Sequence, residues 1–228
     1  MSDSKREMTF LLAGPERTLL TAIAARIPSG LRPNHFTVIG VLGAVGTGVG
    51  YALSSVSFAW LWFASLMLAV NWFGDSLDGT LARVRNKQRP RYGYYIDHLV
   101  DAFNTAAIGI GVGLSPLVNF EVALMLVIVY LTLSINVYLE SSVFGVFKIA
   151  YGVLGPTEAR IGLIALNSAL VLGLPLLPWV GSNLTLLGNS AIGGISLLMF
   201  AMLVVRFGKN LRRLALMEPQ FDGGGKAS

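Results

Sequence analysis

From residue 34 to residue 206 the chain consists of runs of about twenty residues nearly free of charge, separated by short polar interruptions. A helix of about twenty apolar residues crosses the hydrocarbon core of a bilayer. In lipid the backbone must satisfy its own hydrogen bonds, so runs of this kind fold as spanning helices rather than as loops or open sheets. Six such runs are expected, at about 34–54, 57–82, 93–115, 119–143, 158–180 and 185–206. The composition agrees: 54% of the residues are hydrophobic and 13% are charged, where a soluble domain carries about a quarter charged residues. Ahead of the runs, "ERTLLTAIAARI" (Glu16–Ile27) is amphipathic and too short to span. Leu19, Leu20, Ile23 and Ile27 share one face, which suits a helix lying in the membrane interface. The fold expected is an all-α polytopic membrane protein with six transmembrane helices plus an N-terminal interfacial helix.

The basic residues set an orientation. Lys5, Arg6, Arg17, Arg26 and Arg32 precede the first run; Arg83, Arg85, Lys87, Arg89 and Arg91 end the second. Lys148 and Arg160 flank the fourth connection, and Arg206, Lys209, Arg212, Arg213 and Lys226 close the chain. With six spans, all 17 fall on one side, which should be cytoplasmic and hold both termini. The domains expected are a cytoplasmic N-terminus with the interfacial helix (1–33), a six-helix membrane domain (34–206) and a cytoplasmic tail (207–228). The opening residues lack the apolar core of a cleavable signal peptide. The net charge of +5 reads as a membrane-surface signature, and nothing in its pattern suggests a nucleic-acid partner. With no cysteine, disulfides and thiolate metal sites are excluded.

The stretch "GDSLDGTLARVRNKQRPRYGYYIDHLVDAFNT" (Gly74–Thr105) departs from this apolar plan. Asp75 and Asp78 are three residues apart at the inner end of the second run; Asp97 and Asp101 are four apart at the start of the third. Each pair lies on one helical face, and a short loop makes the two helices neighbours. Four like charges at membrane depth must be protonated, paired with arginine, or bound to cations. An oxygen-only donor set favours a hard divalent cation, Mg2+ or else Mn2+ or Ca2+. Two ions held by four carboxylates would polarise phosphate oxygens. Gly79 and Ala82 leave a small-residue surface for a ligand, Arg83 could clamp a phosphate, Gly93 would relieve crowding, and Asp101 could take a proton from a hydroxyl.

These residues resemble the CDP-alcohol phosphotransferase (CDP-alcohol phosphatidyltransferase) family. Its pattern Asp-x2-Asp-Gly-x2-Ala-Arg, then Gly-x3-Asp-x3-Asp after eight or nine residues, is matched at Asp75, Asp78, Gly79, Ala82, Arg83, Gly93, Asp97 and Asp101. "RPNHFT" (Arg32–Thr37) and the six-span plan also look like the family. The resemblance implies a di-metal site at Asp75, Asp78, Asp97 and Asp101, with Asp101 as the base and Gly79, Ala82, Arg83 and Gly93 against the CDP group. The partners it implies are a CDP-linked alcohol donor and a lipid substrate entering from the bilayer, with CMP released. The setting would be a prokaryotic cytoplasmic membrane with the active site on its inner side.

Two stretches lean toward the choline/ethanolamine branch, which takes CDP-choline or CDP-ethanolamine and diacylglycerol. "YIDHLVDAFNT" resembles that branch at Asp97, His98, Asp101, Asn104 and Thr105, and "GPTEA" resembles another of its segments. The alternative is a CDP-diacylglycerol enzyme that loads serine, glycerol phosphate or inositol phosphate. For the first branch, Glu140 or Glu158 with Tyr92, Tyr94, Tyr95, Tyr138 and Tyr151 would cage an ammonium group; the competing role of Glu158 is to cap the fifth span and pair with Arg160 or Lys148. His98 is expected beside the metal site or, less simply, as the base. Asn71, Asn104 and Thr105 lie one turn from the acids and could hydrogen-bond a carboxylate or the nucleotide. Trp60, Trp62, Trp72 and Trp179 read as interface anchors. Small-residue faces, such as the glycines of the first run, suit close helix packing and a homodimer. A non-enzymatic reading is a divalent-cation transporter, disfavoured because Glu121 is the sole ionisable group in the outer halves of the runs.

Overall fold

A computed structural model describes residues 12–144 and 155–218. Among these residues there are seven α-helices and no strand: α1 (Ala13–Ala24), α2 (Pro33–Leu53), α3 (Trp60–Val84), α4 (Pro90–Gly113), α5 (Phe120–Phe144), α6 (Pro156–Val171) and α7 (Pro178–Met217). Three of them, α2, α5 and α7, are long and apolar enough to cross a membrane by length and composition. Helix α3 and helix α4 have similar length, but each carries the acidic and basic groups of the Gly74–Thr105 stretch.

The last two expected spans end differently from the sequence reading. Helix α6 stops at Val171 rather than near 180, because Gly173 adopts φ 114° and a short 3-10 turn, Leu174–Leu176, follows. This left-handed conformation is open to glycine without strain. Pro178 then starts α7, which runs on for 40 residues, about 60 Å of helix. Residues 207–217 continue this helix.

Helix α2 is the hub, packing on both α3 and α4. Helix α6 lies on α3, α5 on α4, and α7 on α5. Close approach is purchased with glycine: a Cβ at Gly74 would fall on the Gly40 backbone, and one at Gly111 on the Gly48 backbone. The glycines of the first run are thus used for packing inside the chain. Such backbone proximity is how helices associate where lipid offers no hydrophobic drive.

Helix α1, expected to lie in the membrane interface, packs one face against the bundle. Leu20 and Ala24 are buried with Phe36, Leu77 and Leu81, and Ile23, Ile27 and Trp72 pack around them. Leu19, assigned to the same face, stays about half exposed at 52%. The α1–α2 connection is pinned to the end of α3, where the Arg85 guanidinium donates to the carbonyls of Ile27 and Pro28, both at 2.9 Å, and to that of Leu31. Helix α3 itself closes in a Schellman arrangement: Asn86 has φ 52°, its N–H reaches the Arg83 carbonyl, and the Lys87 N–H reaches that of Ala82. The chain turns sharply here, and Pro90 begins α4. After this turn both acid-bearing helices pack on α2, and their acids meet beside its first turns.

Candidate active site

The motif acids gather at the end of the bundle formed by the start of α2, the end of α3 and the start of α4. Asp75, Asp78 and Asp97 line one small cavity of about 10 Å³ with Thr37, Gly40, Val100 and Asn104, room for about one water or a bare ion. Asp101 joins the same group: one ligating atom from each of Asp97, His98 and Asp101 lies within 4.8 Å of the others. The two helical pairs do converge, as their spacing requires.

Each acid has a distinct neighbourhood. Arg160, one turn into α6, donates from Nη2 to Asp75 Oδ2 at 3.1 Å and to Asn71 Oδ1 at 3.0 Å. Asn71 in turn donates to the Gly40 carbonyl at 2.9 Å. Thr37 Oγ1 donates to Asp78 Oδ2 at 2.6 Å, and the Gly79 N–H donates to Asp78 Oδ1. Asp97 is about half exposed (48%), with His98 Nδ1 3.9 Å from its Oδ2. The His98 ring stacks on Tyr138 at 4.3 Å and meets Tyr94 edge-on at 4.2 Å. Asn104 is buried, and its Oδ1 has no hydrogen-bond partner among the described residues.

Several basic residues at and after the end of α3 have partners of their own. Arg85 is spent on carbonyls, and Arg89 lies over the Tyr92 ring at 4.1 Å. Arg83 folds back toward its own helix, with Nη2 2.9 Å from Thr80 Oγ1. A Cβ on Gly79 would stand 3.3 Å from Arg83 Nη1, so the glycine leaves this guanidinium room. Gly93 sits in the first turns of α4, exposed, with nothing within 4 Å of a would-be Cβ. It relieves no crowding inside the chain, contrary to expectation, and instead leaves open space beside the acids. Ala82 is partly buried on α3.

A divalent cation fits what is present. The donors are carboxylate oxygens on two helices, the set a hard ion prefers, and the orphaned Asn104 oxygen is a further buried acceptor. Buried acceptors without partners are uncommon and call for a bound group or water.

The expected head-group acids are engaged elsewhere. Glu140 accepts from the Arg206 guanidinium and from Asn210 Nδ2 at 2.6 Å, with Asn136 at 3.3 Å. Glu158 accepts from the Gly155 N–H at 3.0 Å, as an N-terminal cap, and from the Leu12 N–H at 2.9 Å. It does not pair with Arg160, whose guanidinium is on Asp75. Lys148 and Tyr151 lie outside the described residues. Trp72, expected as a lipid anchor, donates Nε1 to Glu16 Oε1 at 2.8 Å. Thr37, Glu16 and Arg206 received no role from the sequence. Their partners are 41, 56 and 66 residues away, so no local spacing betrays them; only the position of Thr37 inside "RPNHFT" hinted at one.

Apolar helices with a cluster of oxygen donors and an adjacent guanidinium at one end of the bundle fit an integral membrane protein. The chain belongs to the CDP-alcohol phosphatidyltransferase family, whose model matches residues 31–204. Among curated proteins it is similar to an archaetidylinositol phosphate synthase of Pyrococcus horikoshii, 32% identical over 99 residues, covering 43% of this chain and 50% of the relative. It is also similar to a phosphatidylinositol phosphate synthase of Cutibacterium acnes, 32% identical over 102 residues, covering 45% and 47%. The matched stretch thus spans about half the length of these relatives. Both are named for the alternative branch of the sequence reading, so the lean toward CDP-choline or CDP-ethanolamine is not what the similarity supports.

Proposed function

We propose that the chain is a phosphatidyltransferase of phospholipid biosynthesis. It would move a phosphatidyl-type group from a CDP-linked lipid to the hydroxyl of a small polyol phosphate and release CMP. The observation that carries the choice of acceptor is Arg160. Helix α6 sets a guanidinium on the Asp75 edge of the carboxylate cluster, suited to a second phosphate, while Glu140, the better candidate for caging a cation, is already bound to Arg206. The names of the two relatives point the same way.

In this reading Asp75, Asp78, Asp97 and Asp101 hold Mg2+ or Mn2+, two ions in all. When bound, the metal supplies charge withdrawal from the pyrophosphate oxygens. Thr37 and Arg160 keep Asp78 and Asp75 in fixed orientations. The open face beside Gly79, Ala82 and Gly93 admits the nucleotide, with Arg83 at its rim. The acceptor oxygen forms a bond to the lipid-side phosphorus, the bond from that phosphorus to the CMP oxygen breaks, and CMP leaves with the electron pair. Asp101 takes the hydroxyl proton. In this reading helices α2 to α7 cross a prokaryotic membrane, and the basic residues around the site support its facing the cytoplasm.

The test uses purified protein with Mg2+ in detergent. CDP-diacylglycerol or its ether-lipid analogue is offered with inositol phosphate, glycerol phosphate or serine; CDP-choline is offered with diacylglycerol. The expected result is CMP release with a polyol-phosphate acceptor, and a drop of about 10²–10⁴-fold in Asp101→Asn, the usual contribution of a general base. Conversion of CDP-choline with diacylglycerol would instead establish the other branch.

A further inference from the structure

The N-termini of α1 and α6 hold each other through two glutamates. Glu16, in the first turn of α1, places Oε2 2.9 Å from Thr157 Oγ1 in the first turn of α6. Glu158, the next residue of α6, accepts the Leu12 N–H at the start of α1 at 2.9 Å. The hold is therefore reciprocal, one carboxylate from each helix satisfying a donor on the other. Helix N-termini have unsatisfied N–H groups and favour carboxylates, which explains why Glu158 serves Gly155 and Leu12 together. Glu16 reaches further. Its Oε1 accepts from Trp72 Nε1 at 2.8 Å and from Ser76 Oγ at 3.1 Å, both on α3. One side chain thus links α1, α3 and α6.

The placement of these contacts gives them a functional meaning. Thr157 is one turn before Arg160 on α6, and Ser76 is adjacent to Asp75 on α3. Arg160 and Asp75 are themselves joined at 3.1 Å. The α3–α6 seam at the site is therefore fastened twice, by Arg160 inside and by Glu16 from the outside. A shift of α6 by a fraction of a turn would move the guanidinium, and misplacement of about 1 Å can cost a large factor in rate.

We infer that Glu16 and Glu158 are positioning residues: Glu16 through Thr157, and Glu158 through the Leu12 N–H, set where α6 presents Arg160 to the acceptor phosphate. This rests on the acceptor reading given above. It assigns to α1 a role in substrate selection in addition to its seat at the membrane surface.

The experiment has two readouts. In steady-state assays with CDP-lipid and polyol phosphate, Glu16→Ala should raise KM for the acceptor about tenfold while KM for the CDP-lipid changes less than twofold. Glu16→Gln keeps an oxygen for Trp72 and Ser76 and should recover to within about threefold of the parent. Thr157→Val should reproduce the acceptor defect, and adding it to Glu16→Ala should bring little further loss, as expected of residues in one network. The second readout needs no activity. Because the chain has no cysteine, spin labels at Arg17→Cys and Ile161→Cys report the α1–α6 distance directly. A narrow distribution should broaden in Glu16→Ala and in Thr157→Val and stay narrow in Glu16→Gln. Unchanged distance distributions, or an equal fall in all kinetic constants, would overturn the inference. An inactive parent protein would overturn the acceptor reading, and the spin-label distances would still decide whether the clasp exists.

Discussion

Thr37 shows how one uncharged side chain supports the site. Its hydroxyl gives Asp78 a 2.6 Å hydrogen bond from the first turn of α2, and bonds to charged groups contribute about 1.5–3 kcal/mol. Thr37→Val keeps the shape and removes the donor. It should raise the Mg2+ concentration for half-maximal activity about tenfold with little change in thermal stability, as measured by metal titration of CMP release. At this scale the grouping of the aspartates was legible in the sequence, because three- and four-residue spacing puts each pair on one face. The Thr37 and Arg160 contacts were not, because they join residues 41 and 85 apart and no periodicity encodes such a meeting. Glu158 was legible as a cap because Pro156 and Thr157 mark a helix start; its grip on Leu12 was hidden for the same reason as Arg160.

Among the elements, α2, α3 and α4 work as one unit held by glycine contacts. Gly74 immediately precedes Asp75 and packs on Gly40 without space for a Cβ. Gly74→Val would wedge α2 from α3, and overpacking of this kind costs about 1–3 kcal/mol or more. The expected outcome is a lower unfolding temperature with loss of activity, whereas valine at Gly162, where nothing lies within 4 Å of a Cβ, should leave both near the parent values. Thermal unfolding in detergent beside the transferase assay checks this. The helices α2 to α5 stand within a few residues of the positions read from hydropathy. The last two were harder to bound, since "GLPLLPWVG" is apolar throughout and its break depends on Gly173 and two prolines rather than on polarity. The docking of α1 was only half legible: its amphipathic face fits lipid and protein equally well, and Glu16 decides between them through Trp72, Ser76 and Thr157.

For the whole molecule, the proposed six-span reading would bring alternate helix ends, and the basic residues with them, to one side. In that reading the apolar remainder would hold the charged site at the membrane boundary, where a lipid-linked nucleotide would meet a water-soluble acceptor. That arrangement is coherent only if the carboxylates share cations. Manganese titration followed by electron paramagnetic resonance, on purified protein with CDP-diacylglycerol present, addresses this directly. The account predicts about two Mn2+ bound per chain with magnetically coupled spectra, and loss of the coupled signal in Asp97→Asn. Absence of saturable Mn2+ binding, or binding unaltered by that substitution, would contradict it.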